Sequence, residues 1–95
     1  MDTAVPQPVI DGSKARVTRW DLAPGAETGH HRHELDYIVI AITDGALLQK
    51  SEDAEVSVPL SPGSAYFREA GVEHNVSNQG DKTVTFVEVE LHDAT

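Results

Sequence analysis

Apolar and polar residues alternate along most of this chain with a period of two, the spacing of strands that cover one face. Residues 15–22 and 83–91 alternate in this way and are rich in β-formers such as Val17, Thr18, Trp20, Val84 and Phe86. Residues 35–43 are different: Tyr37 to Ile42 is an almost unbroken apolar run, which predicts a strand covered on both faces. Shorter strands are expected at 46–50, 56–60, 64–68 and 74–77. Turn residues separate them. Asp44-Gly45 reads as a hairpin turn, residues 51–55 as a polar turn, and Ser61-Pro62-Gly63 as a tight turn. Gly71 sets a bend, and residues 78–81 form the last turn. No helical stripe of useful length interrupts this pattern. About eight short strands with such punctuation predict an all-β sandwich or barrel. In the last strand the simplest reading buries Val87, Val89 and Leu91 and exposes Glu88 and Glu90. If that strand lies between two layers, Glu88 is instead a buried acid. Residues 1–12, with Pro6 and Pro8, are expected to form an N-terminal edge strand or arm. With no internal repeat, residues 1–95 read as one domain.

Composition narrows the partners. The chain has 95 residues, near the lower end of what folds alone with an adequate core. Sixteen acids against seven bases give a formal charge of −9, which argues against nucleic acid or an anionic membrane as partner. The N-terminus resembles no signal peptide, and no stretch approaches the roughly 20 apolar residues of a membrane span, so a cytoplasmic protein is expected. A small barrel exposes strand edges, so a homodimer paired through the N-terminal strand is expected too.

Three histidines carry the candidate chemistry. His31 and His33 stand two apart, so on a strand they share a face. His74 brought across from another strand completes a facial set of nitrogen ligands for a divalent transition metal. Cysteine is absent, so any site relies on nitrogen and oxygen ligands.

The spacing Gly25, five residues, His31-Arg32-His33 resembles the first motif of the cupins. Gly63, Gly71, His74 and Asn78 repeat the spacing of the second. Together these motifs run from Gly25 to Asn78. The resemblance implies a small cupin β-barrel, the jelly roll or double-stranded β-helix, with a metal inside its mouth. Residues 31–37 and 66–74 are similar to a group of short bacterial cupins, mostly of unassigned function, some linked by name to β-alanine degradation. Two positions depart from the family. Glu69 stands where a turn proline is usual. Tyr37 and Ile38 stand where the family supplies a ligating glutamate. Glu34 and Asp36 are the nearest acids, and a β-bulge would be needed to turn either inward. The site then has three histidines and open positions, which resembles the cupin-like thiol dioxygenases at the level of the site. Iron, manganese, nickel and zinc are the candidate ions.

Other residues have assigned expectations. Tyr37 shares parity with His31 and His33 and is a candidate acid/base or hydrogen-bond donor. His30 lies on the opposite face, a rim residue or proton carrier. Trp20, Tyr37, Tyr66 and Phe67 are the candidate pocket lining. Arg32 is expected to face away from its histidine neighbours into an ion pair. At most one of Arg16 and Arg19 enters the pocket, where it favours a carboxylate. Asn78 is expected to hold a turn. The functional readings are a metalloenzyme acting on a small carboxylate or amino-acid-derived metabolite, of dioxygenase or isomerase/hydrolase type; a non-catalytic module that binds or senses a small molecule; and an assembly role.

Overall fold

Strand pairing satisfies nearly all the regular backbone in the computed structural model, which describes residues 3–92. Nine strands follow in order: β1 (Gln7–Asp11), β2 (Ala15–Leu22), β3 (His31–Arg32), β4 (Asp36–Ala41), β5 (Gly45–Lys50), β6 (Glu55–Leu60), β7 (Ala65–Arg68), β8 (Glu73–Ser77) and β9 (Val84–Leu91). They build a five-stranded sheet, β1-β2-β9-β4-β7, and a four-stranded sheet, β3-β8-β5-β6. Every strand pair is antiparallel. The fold is the double-stranded β-helix, and no helix among the described residues is long and apolar enough to cross a membrane. β1 is the edge of the larger sheet, and its register slips between Pro8 and Ile10, as expected where proline removes a ladder donor.

The core lies between the sheets. Leu22, Tyr37, Val39, Leu47, Val76 and Phe86 are among its buried apolar residues, each worth about 1.5–3 kcal/mol when fully buried. Asn78 closes its floor and is fully buried. Its Nδ2 donates to the carbonyls of Leu22 (2.8 Å) and Lys82 (2.7 Å), and its Oδ1 accepts from Gly80 N–H at 2.9 Å. This side chain holds the turn before β9, as its place in the sequence suggests.

Three expectations are corrected here. Asp44-Gly45 is not a hairpin turn: β4 lies in one sheet and β5 in the other, so the chain crosses between layers there. Gly45 takes φ 135°, and a Cβ on it would lie 2.8 Å from Val84 Cγ2, so the crossing needs a residue without a side chain. The β4 run is covered on one face only: Tyr37, Val39 and Ala41 are buried, while Ile38 and Ile40 are half-buried. In β9 the inward face is Phe86 and Glu88, and Val87, Val89 and Leu91 turn outward. The cause is common to both strands. β9 sits between β2 and β4, and only one side of that sheet has a second layer over it.

Candidate metal centre

β3 and β8 pair so that His31 stands directly opposite His74, and Arg32 opposite Glu73. Residues so opposed are neighbours, with Cβ atoms about 5 Å apart. His33 follows on the same face as His31. Its backbone is pinned by His33 N–H donating to the Val72 carbonyl (2.9 Å) and by Gly71 N–H donating to the His33 carbonyl (2.8 Å). Gly71 takes φ 101° in the bend that carries the chain back into β8.

The three imidazoles converge. His31 Nε2 lies 3.0 Å from His33 Nε2, which lies 3.2 Å from His74 Nε2. All three ligand atoms fall within 4.8 Å of one another. Metal–nitrogen bonds of about 2.0–2.1 Å at tetrahedral or octahedral angles put ligand nitrogens about 2.9–3.4 Å apart. The 3.0 and 3.2 Å pairs fit ligands on one divalent ion, and the remaining pair closes within 4.8 Å. His31 Nδ1 lies 2.8 Å from the Gly29 carbonyl, to which its N–H donates, leaving the Nε2 lone pair aimed at the cluster. Burial, helped by the proximity of His31, draws His33 and His74 down to about 4. Both are thus neutral at pH 7, the form that ligates.

Neither Glu34 nor Asp36 supplies the absent family glutamate. Both are exposed, and Asp36 Oδ1 accepts from Ala70 N–H at 2.8 Å. The carboxylate near the cluster is Glu88. Its Oε2 lies 3.7 Å from His33 Nε2, and its Oε1 accepts from the Trp20 indole N–H at 2.9 Å. Burial pushes Glu88 up to about 7, with the Trp20 bond pulling the other way. Glu88 stands beside the ligand set, outside it.

Tyr37 is buried, and its ring stacks on His33 with centroids 3.8 Å apart. Burial, with Glu88 and Tyr66 nearby, pushes its phenol well above the usual range. It is a neutral hydrogen-bond donor. A cleft of about 230 Å³ opens beside His74, lined also by Gln49, Val58, Arg68 and Val72. Tyr66 lies beneath Arg68, whose guanidinium carbon is 4.5 Å from the ring centroid. Trp20 lines a separate hollow with Pro8, Arg16 and Glu88.

Two candidates sit elsewhere. Phe67 faces out, 50% exposed, because it alternates with Tyr66 and Arg68 on β7. His30 is on the surface, its Nε2 2.8 Å from Glu73 Oε1. Arg32 is exposed, and it forms no ion pair among the described residues. Neither Arg16 nor Arg19 enters the cleft: Arg16 forks onto Glu90 at 2.8 and 3.0 Å, and Arg19 pairs with Asp21 at 3.2 Å. The arginine in the cleft is Arg68, to which neither composition nor motif spacing points. Its parity with Tyr66 was the only signal.

This chain belongs to the cupin family: the family's cupin domain model matches residues 18–90. It is 51% identical over 88 residues to the β-alanine degradation protein BauB of Pseudomonas aeruginosa, covering 93% of each chain. It is 30% identical over 80 residues to the oxalate-binding protein of Thermotoga maritima, covering 81% of this chain and 63% of that one. The crystal structure of a cupin domain from Bordetella pertussis superposes with TM-score 0.93 at 42% identity, covering 97% of this chain and 96% of the other.

Proposed function

We propose that this chain is a metal-dependent cupin enzyme acting on a small carboxylate or amino-acid-derived metabolite through His31, His33 and His74. The observation that carries the reading is the convergence of three imidazole nitrogens, with neighbouring pairs 3.0 and 3.2 Å apart. Iron, manganese, nickel and zinc all suit such a nitrogen set. A divalent ion with no carboxylate ligand keeps its full charge, so it supplies Lewis acidity for isomerisation or hydrolysis, and iron adds dioxygenase chemistry. The chain's own residues do the rest. Tyr37 braces His33 and offers a neutral hydroxyl as donor. Glu88 adds a buried carboxyl at the inner side of the cluster. His30, tied to Glu73 on the surface, serves the rim at most. Two relatives carry names that refer to β-alanine and oxalate, both carboxylates, which supports the substrate class.

The test is elemental analysis of untagged protein purified without chelators, beside His31→Ala and His74→Ala. Near-stoichiometric metal in the wild type, lost in both folded variants, is the expected result; equal metal content in all three refutes the site. A second reading, a binding module without turnover, draws on the name of the oxalate-binding relative. Saturable ligand binding with no product under aerobic and anaerobic conditions decides for it.

A further inference from the structure

The net charge of −9 makes one cation conspicuous. Arg68 is half-buried on β7 and lines the cleft that His74 also lines. Among the described residues it forms no ion pair with any carboxylate. The acid in its own cross-strand row is already taken: Arg16, Glu90, Tyr37 and Arg68 stand side by side across four strands, and Glu90 is held in the fork of Arg16. The guanidinium of Arg68 is nevertheless fixed. It lies over the Tyr66 ring at 4.5 Å, and Nη1 donates to the Phe67 carbonyl at 3.1 Å. Tyr66 is itself tethered, its hydroxyl accepting from Gln49 Nε2 at 2.9 Å. A guanidinium carries five N–H donors in a planar fork that matches a carboxylate, and only one protein acceptor engages this one among the described residues. Held in place before any ligand arrives, it has little ordering cost left to meet on binding.

We propose that Arg68 anchors the carboxylate of the ligand, and that the ligand is a short carboxylate whose second polar group reaches the three-His cluster from the side of His74, the member that lines the cleft. The volume sets the length. About 230 Å³ is below the usual range for drug-sized ligands, so the cleft suits a molecule of few heavy atoms. Val58 and Val72 give it an apolar wall for a short carbon chain, Gln49 adds an amide at the Arg68 end, and the one acid on the lining, Glu73, lies against His30 Nε2 at 2.8 Å. Arg68 thus selects for the carboxylate, while the imidazole end accepts an amine or a second carboxylate through the ion.

The inference rests on the metal reading above, and the experiment separates the two. Cobalt(II)-loaded wild type, Arg68→Ala and Arg68→Lys are titrated with oxalate, β-alanine and imidazole, followed by the visible cobalt spectrum and by calorimetry. Imidazole addresses only the metal and controls for an intact site. The expected result is carboxylate binding in the wild type, weakened about 10- to 100-fold in Arg68→Ala. Arg68→Lys, a point charge without the fork, recovers only part of that loss, and imidazole responds alike in all three. If Arg68→Ala does not fold, Arg68→Lys with a normal imidazole response and weakened carboxylate binding still supports the anchor. Equal carboxylate affinity in the wild type and both variants overturns it, as does the absence of carboxylate binding to a cobalt-loaded wild type. A wild type that takes up no cobalt overturns the metal reading itself, and the two-ended ligand with it.

Discussion

Removing the charge of Glu88 changes how the metal-free protein responds to acid, in a direction the structure fixes. His33 and His74 are drawn from 6.5 down to about 4 in the folded chain. The unfolded chain therefore takes up two protons that the folded chain refuses, and stability falls as pH drops from 6.5 towards 4. Glu88 works the other way. Pushed from 4.5 up to about 7, it is protonated in the folded chain while still ionised in the unfolded one. Its contribution is therefore largest at low pH and lost as pH rises from 4.5 to 7. Each shift corresponds to about 3 kcal/mol across its window. Near pH 5.5 the two histidines outweigh the one acid, so stability rises with pH by about 1 kcal/mol per unit. Near pH 7 the opposing terms balance, which places the maximum close to neutrality. Glu88→Gln keeps an oxygen for the Trp20 indole and removes the opposing term, so the slope near pH 5.5 steepens to about 2 kcal/mol per unit. The assay is urea unfolding of chelator-treated protein at half-unit steps from pH 5 to 7.5. Parallel slopes for wild type and Glu88→Gln would refute the reasoning for Glu88, because they would mean that it titrates alike in the folded and unfolded chains; a Glu88→Gln slope near zero would refute it for the histidines.

Other expectations are simpler to test. Asn78→Ala leaves the buried Leu22 carbonyl, and the part-buried Lys82 carbonyl and Gly80 N–H, without this partner, and is expected to cost about 2–3 kcal/mol in urea unfolding. Tyr37→Phe keeps the ring on His33 and should leave cobalt affinity unchanged, whereas Tyr37→Ala should lose about 3–5 kcal/mol of stability and weaken cobalt binding; equal cobalt affinity in all three would show that the stacking is idle. Ile10, Val17, Val89, Ile38 and Phe67 form an unbroken apolar row across the outer face of the larger sheet. We propose that a second copy packs on this row, which begins on the N-terminal strand at Ile10, and sedimentation should give a mass near twice 10.3 kDa that Phe67→Asp returns to one chain.

Much of this protein was legible as one-dimensional pattern. The period-two runs located the strands, and His31, His33 and His74 were placed together by parity and motif spacing. What stayed hidden depends on which strands become neighbours. β9 carries apolar residues on both of its faces, so alternation alone could not say which face meets the second sheet. Glu88 belongs inside because Trp20, on the next strand, offers it a donor. That pairing joins residues 68 positions apart. Asp44-Gly45 has the composition of a hairpin turn, yet the chain changes sheets there because β5 pairs with β6 and β8 and not with β4. Arg68 looks like any polar strand end until Glu90 is seen to be engaged by Arg16.

The Trp20–Glu88 contact has a practical consequence. The chain has one tryptophan, and its indole N–H is bonded to a carboxyl that stands 3.7 Å from His33. Indole emission depends on the charge and hydrogen bonding around the ring. The protein therefore contains its own optical probe of the site, free of background from any second indole. A shift in emission on adding an ion, absent in Glu88→Leu, reads out occupancy of the three-His cluster without a label.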